Sequence, residues 1–241
     1  LVQVRKLSEK MLEQERIARD QEIARRLLEA DNRRKTEELE EARTLQLSML
    51  PKEVPKVPNL EIAAYMKTAT EVGGDYYDFC SGDEGTLTVA IGDATNHGMK
   101  AGLMVSLIKS LFLADAPCMD LISFLNKCSQ TIKKMQLGNL YMSMLLLQIK
   151  DSQFTATAAG MPPILIYRNQ EHRVEELTIK GLPLGGPGVS KYRKLERTIA
   201  PGDTILLMSD GFPELFNNEM KMLDYSGVRE IFKEIGQKSP R

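Results

Sequence analysis

Three aspartates stand beside glycines where an apolar run meets a loop. Asp75 follows Gly73 and Gly74, Asp93 follows Gly92, and Asp210 precedes Gly211. Glycine lets backbone and bulky ligands approach closely. Carboxylates gathered without converging Cys or His favour hard, oxygen-seeking ions such as Mg²⁺ or Mn²⁺ over zinc. Two such ions about 3.5–4 Å apart acidify a bridging water and neutralise a phosphoryl oxygen as it reacts. Without a cation, three carboxylates in one pocket repel each other and their pKa values rise. Each acid alone also reads as a turn residue or a cap; the recurrence of the setting is what favours the metal reading. Asp78, three residues beyond Asp75, is a weaker fourth candidate. His97, one of two histidines, lies in the loop Asn96-His97-Gly98. It could donate a hydrogen bond to a substrate or leaving group, or cap the helix that follows. His172 reads as an exposed turn residue.

The elements that must hold these residues follow from periodicity. An apolar, β-rich run at 86–91 ends at the Gly92-Asp93 step, and a double-glycine turn leads into an acidic and aromatic strand after Asp75. Further strands are expected at 60–65, 141–149, 153–159, 163–167, 173–179, 194–199 and 204–211. A helix is expected over 98–114, with Met99, Leu103, Leu107, Ser110, Leu111 and Ala114 inward. A second, over 119–135, turns Leu121, Ile122, Leu125, Cys128, Ile132 and Met135 inward. A closing helix is expected at 225–235. Many short strands with two adjacent helices inserted indicate an α+β layered fold rather than strict βαβ alternation.

Residues 1–50 have another texture. They contain no Gly or Pro and are dense in Glu, Arg, Lys, Gln, Ala and Leu, all strong helix formers. Opposite charges stand four apart, as at Glu22/Arg26 and Glu29/Arg33. A heptad seam runs through Val4, Leu7, Met11, Ala18, Leu28, Leu39, Ala42 and Met49, interrupted by polar residues including Gln14, Arg25 and Gln46. This is an imperfect coiled coil that needs a partner, and it reads as a dimerising signalling stalk or a plain spacer. Pro51, Pro55 and Pro58 forbid helix. The expected division is a coiled-coil helix at 1–50, a Pro-rich linker at 51–58 and a globular domain at 59–241.

Composition narrows the classes of function. The chain has 241 residues, of which 42% are hydrophobic and 27% charged. A net charge of −1 gives no basic excess for nucleic acid. Three cysteines without metal spacing read as reduced packing thiols. No run reaches the roughly 18–20 apolar residues of a membrane span. The expected location is cytoplasmic, with membrane tethering open for a longer protein. The chain begins at Leu1 in mid-pattern and reads as part of something longer.

In order, the motifs are Gly-Gly-Asp-Tyr-Tyr-Asp at 73–78, Gly-Asp-Ala-Thr-Asn-His-Gly at 92–98, Ala-Gly-Met-Pro-Pro at 159–163, Gly-Leu-Pro-Leu-Gly at 181–185, and Gly-Asp-Thr-Ile-Leu-Leu-Met-Ser-Asp-Gly at 202–211. This set, over about 45–217, resembles the SpoIIE/RsbU-type phosphatases, the bacterial branch of the PPM metal-dependent serine/threonine phosphatases. The resemblance implies an α-β-β-α sandwich with two Mn²⁺ or Mg²⁺ ions at one end. It implies that Asp93 bridges both ions, that the Ala94 carbonyl assists, and that Asp75 and Asp210 complete the shells. His97, Asn96 and Gly160 would support the loops or the substrate. It implies hydrolysis of phosphoserine or phosphothreonine by metal-activated water, without a phosphoenzyme. The implied substrate is a phosphorylated anti-sigma-factor antagonist, with a homodimer through the stalk and an upstream sensor or receiver domain. The sequence departs from the pattern at Asn96, where Gly is common, and at Met161, where His is frequent. It also stops before a further acidic strand of the family, so the last strand is expected to be missing. A phosphatase-like module that docks a phosphoprotein without turnover stays open as the alternative.

Overall fold

In a computed structural model, residues 2–67, 72–82, 85–115, 120–189 and 191–240 are described, with side chains from residue 10 onward. Among them the elements are α1 (Val2–Ser48), β1 (Asp75–Ser81), β2 (Leu87–Ala94), α2 (Met99–Asp115), α3 (Leu121–Met135), β3 (Met142–Lys150), β4 (Gln153–Ala159), β5 (Ile164–Arg168), β6 (Arg173–Leu177), β7 (Leu195–Thr198), β8 (Thr204–Leu206) and α4 (Asp224–Ile235).

The strands form two antiparallel sheets, in the orders β1-β2-β3-β4-β7 and β6-β5-β8. The period-2 alternation of β3 shows how they stack. Met142, Met144 and Leu146 face α2 and α3, where they join Ile108, Phe112, Phe124 and Leu125. Leu145, Leu147 and Ile149 face the other way, onto Ile164 and Ile166 of β5 and Leu177 of β6. β5 alternates in turn, with Leu165 and Tyr167 packing on Val228 and Phe232 of α4. The layers therefore run α2/α3, first sheet, second sheet, α4. This is the expected α-β-β-α sandwich.

Several elements depart from the sequence reading. Residues 60–65 form no strand. Asn59 takes a positive φ of 62°, the chain folds back in a bridge between Val57 and Leu60, and 61–67 run unpaired with Tyr65 exposed. β2 continues through Gly92 and Asp93 to Ala94 rather than ending at Gly92. β8 stops at Leu206, well short of Gly211. Its partner explains why: with Leu165 opposite Leu206, the next positions of β5 run out at Pro163 and Pro162. Proline has no N–H to extend the ladder, so the chain leaves the sheet before Asp210.

The inward face of α2 is Ala101, Gly102, Met104, Val105, Ile108 and Phe112, whereas Met99, Leu103, Ser110 and Ala114 are exposed. Apolar residues circle this helix, so periodicity could not choose a face. The small Ala101 and Gly102 chose it, because they admit close neighbours. A Cβ on Gly102 would stand 2.7 Å from a methyl of Val72. Asp120 caps α3, accepting the Ser123 N–H at 3.0 Å; Cys118 and Met119 lie outside the described residues. In α3, Met135 is exposed while the rest of its expected face packs.

α1 is one uninterrupted helix dressed by ion pairs such as Arg26–Glu22 at 2.7 Å and Lys35–Asp31 at 2.7 Å. Val4 and Leu7 of the seam lie outside the described side chains. Met11 and Leu28 of the seam are exposed. Toward its end the helix packs on α2. There Gln46 is buried and Met49 sulfur accepts the Ser106 hydroxyl at 3.6 Å.

Candidate metal centre

β1 and β2 pair so that Asp75 lies directly opposite Asp93. Directly opposed residues share a face, with Cβ atoms about 4.5–5.5 Å apart, and like charges there repel. Alternation sends Tyr76 and Ala94 to the helix side of the sheet and Val89 and Ile91 to the second sheet. Asp75 and Asp93 therefore face the second sheet, from which Asp210 arrives. The three expected acids meet between the sheets, at one end of the sandwich.

Their interactions are those of crowded carboxylates. Burial, the charges of Asp75 and Asp210, a hydrogen bond with Asp210 and the charge of Glu214 raise the Asp93 carboxyl to about 7. Burial also raises Asp75; the Ser209 hydroxyl, donating to it, works against the shift, and Asp210 adds to it. Backbone closes around them. The Ala94 N–H donates to the Gly74 carbonyl at 3.0 Å. A Cβ on Gly74 would stand 2.5 Å from the Ala94 carbonyl oxygen and 2.7 Å from Asp93 Oδ1. Gly74 is thus the residue that leaves room for a carboxylate and a carbonyl side by side.

This donor set fits a hard divalent cation: three carboxylates and a backbone oxygen, with no thiolate or imidazole among them. Among the described residues, no group of three His, Cys, Asp or Glu side chains is placed to hold a metal ion. Asp93 is instead hydrogen-bonded to Asp210, and a cation there would relieve the mutual repulsion of the acids.

The other candidates fall out as follows. Asp78 turns away from the site. It is 3% exposed on the helix side, where it accepts from Lys109 Nζ at 2.6 Å, the Tyr76 hydroxyl at 2.8 Å and the Phe79 N–H at 2.9 Å. It fastens β1 to α2. Asn96 adopts a φ of 71°, the left-handed conformation that Asn tolerates better than most residues. His97 is exposed in the loop between β2 and α2. Gly160, at φ 77°, abuts Pro183. It follows the last residue of β4, and the β2-β3-β4 register puts it on the same rim as Asp93, two strands away.

Sequence reasoning missed four neighbours. Ser209 hydrogen-bonds Asp75, and Glu214 acts on Asp93. Asp210 and Glu214 both raise Tyr225, after burial. Gln46, read as a break in the seam, is the fourth: its amide donates to the Gly73 carbonyl at 2.7 Å and accepts the Gly73 N–H at 3.2 Å. The signals were thin. Ser209 adjoins Asp210, Glu214 is one helical turn beyond it, and Gln46 is polar at a seam position.

A four-layer α-β-β-α sandwich with acids gathered between the sheet ends is the PP2C class of phosphatase fold. The SiaA-PP2C domain of Pseudomonas aeruginosa superposes with a TM-score of 0.72 at 20% identity, covering 87% of this chain and 85% of that one. RsbX, in a crystal structure with magnesium, superposes with a TM-score of 0.50 at 21% identity, covering 70% of this chain and 83% of that one. Residues 83–241 match the family described as Stage II sporulation protein E (SpoIIE), and the chain belongs to that family. The phosphoserine phosphatase RsbU of Bacillus subtilis (strain 168) is 26% identical over 200 residues, or 82% of this chain. The chain spans 59% of the length of that relative. No helix among the described residues is long and apolar enough to cross a membrane.

Proposed function

We propose that the chain is the catalytic part of a metal-dependent phosphoserine/phosphothreonine protein phosphatase of bacterial signalling. The observation that carries this reading is the meeting of Asp75, Asp93 and Asp210 across the two sheets, with the Ala94 carbonyl beside them. In this reading Asp75, Asp93, Asp210 and the Ala94 carbonyl would hold two Mn²⁺ or Mg²⁺ ions. When bound, the pair supplies charge neutralisation at the phosphoryl oxygens and a water of lowered pKa. The chain's own residues arrange the rest. Ser209 orients Asp75, and Gly74 leaves the Ala94 carbonyl and Asp93 Oδ1 uncrowded. His97 stands exposed in the loop that follows β2, where it can donate a hydrogen bond to the substrate or support the loop. Water forms the new P–O bond as the ester P–O bond breaks, giving inorganic phosphate and the free hydroxyl.

The substrate we favour is a small phosphorylated protein of the anti-sigma-factor antagonist type, in a partner-switching pathway of the cytoplasm. The likeness to RsbU supports this. The division into a stalk at 1–50, a linker at 51–58 and a catalytic domain at 59–241 is part of the proposal, as are homodimerisation through the stalk and control by an upstream sensor or receiver. The Gln46–Gly73 amide pair gives the stalk a route to the acids, because Gly73 is two residues from Asp75.

The test is Mn²⁺-dependent hydrolysis of a phosphoseryl protein and of an aryl phosphate by the chain and by Asp93→Asn. Hydrolysis abolished by Asp93→Asn supports the reading. A folded, Mn²⁺-loaded chain that hydrolyses neither substrate overturns it in favour of a phosphoprotein-docking module.

A further inference from the structure

Between Asp210 and α4 the chain builds a hairpin of its own. The Glu214 N–H donates to the Asp210 carbonyl at 3.0 Å, Asp224 N–H to Pro213 at 2.8 Å and Leu223 N–H to Leu215 at 2.8 Å. Phe216 and Met222 pair across it in an antiparallel bridge. At the tip, Asn217 Oδ1 accepts the N–H groups of Glu219 and Lys221 at 3.0 and 2.9 Å. Pro213 is buried and anchors the base, while the remainder of 211–222 is exposed. That exposed stretch carries Phe212, Leu215, Phe216, Met220 and Met222, with Tyr225 in the first turn of α4. Phe216 is 57% and Met220 76% exposed. These side chains are presented to solvent rather than folded onto a core. Dense exposed apolar groups of this kind mark interaction surfaces.

Position decides the occupant. The hairpin starts at Asp210, which is hydrogen-bonded to Asp93, and Glu214 and Tyr225 sense the same acids. Any polypeptide that delivers a phosphoseryl side chain to Asp93 must run past this rim. Each flanking residue advances the chain by about 3.3–3.6 Å, so two or three of them reach from the acids onto the hairpin. Resting on the phosphatase reading, we infer that this hairpin is the docking platform for the substrate polypeptide, gripping apolar side chains within a few residues of the phosphoserine. The carboxylates of Asp210 and Glu214 at its base disfavour acidic flanks and leave apolar contact as the source of grip. The platform sorts phosphoproteins by their flanks while the acids act on any phosphate.

The experiment compares a phosphoseryl decapeptide flanked by Leu and Ile, its counterpart with Ser at those places, and p-nitrophenyl phosphate. The proteins are the whole chain, Phe216→Ser and Met222→Ser, both exposed positions. The expected result is a preference of about tenfold in kcat/KM for the apolar peptide, erased by either variant, with p-nitrophenyl phosphate rates within about twofold of the unaltered chain. No preference, or a preference the variants leave intact, overturns the platform. Fluorescence anisotropy of the labelled apolar peptide with Mn²⁺ separates the two readings. If no phosphate is hydrolysed yet binding is seen and lost in the variants, the platform stands and the phosphatase reading falls. If the variants instead abolish self-association in sedimentation and leave the peptide unaffected, the hairpin is a contact between copies and the inference is overturned.

Discussion

Asp75 facing Asp93 across a strand pair is a repulsion that the fold keeps in place by register, and a bound cation would relieve it. Mn²⁺ should therefore raise the melting temperature of the chain. At one hundred times its Kd a ligand adds about 2.7 kcal/mol, and differential scanning fluorimetry with and without Mn²⁺ would read it. In Asp93→Asn the gain should be small or absent. Gly74→Ala should be nearly as damaging to hydrolysis, because its methyl would overlap the Ala94 carbonyl and Asp93 Oδ1. Unlike a surface glycine change, it should lower Mn²⁺ affinity at least tenfold by titration calorimetry. Away from the site, Asp203 offers a pH prediction. Burial alone would raise its carboxyl, but the Ala200 N–H, Arg168 and the Asn169 N–H outweigh that and hold it below 3.8. A depressed folded-state pKa contributes stability above the unfolded value and loses it as pH falls through the folded one. Asp203→Asn should therefore melt a few degrees lower at pH 7, and the gap should close as pH drops below about 3.8.

At the scale of elements, the last turns of α1 act as part of the domain. Gln46 satisfies both backbone groups of Gly73, and Gly102 of α2 makes room for Val72 beside it. Gln46→Ala leaves two polar groups unpaired in a part-buried place, a cost of about 1–3 kcal/mol. It should lower thermal stability and weaken Mn²⁺ binding together; an unchanged Mn²⁺ affinity would show that the pair is only structural. Much of this architecture was legible from the amino-acid order. The period-2 runs gave β3, β4, β5 and β6 nearly to the residue, and the glycine-flanked acids are the ones the fold brings near one another. What could not be read was decided by tertiary context. The double proline that shortens β8 acts on a strand some 40 residues away. The face of α2 was hidden by apolar residues all round it. Asp78 looked like Asp75 in sequence, and only the strand's alternation turned it toward Lys109. Gln46 was invisible because its partner is a backbone, which has no sequence signature.

At the scale of the molecule, a sandwich with a buried core carries a helix whose upper part is bare. Met11, Leu12, Ile17, Ile23, Leu27 and Leu28 are all exposed, far more apolar surface than a lone helix keeps. The whole chain is expected to sediment as a dimer, and one begun at residue 45 as a monomer that keeps the sandwich.

The attachment of that helix sets how motion reaches the acids. At 1.5 Å per residue, its 47 residues make a shaft of about 70 Å. Each residue along it turns a side chain by about 100°. A slip of one residue would carry the Gln46 carboxamide around the shaft and away from its two hydrogen bonds to Gly73. A twist arriving along the shaft would thus meet the chain at Gly73, two residues before Asp75, through this one side chain.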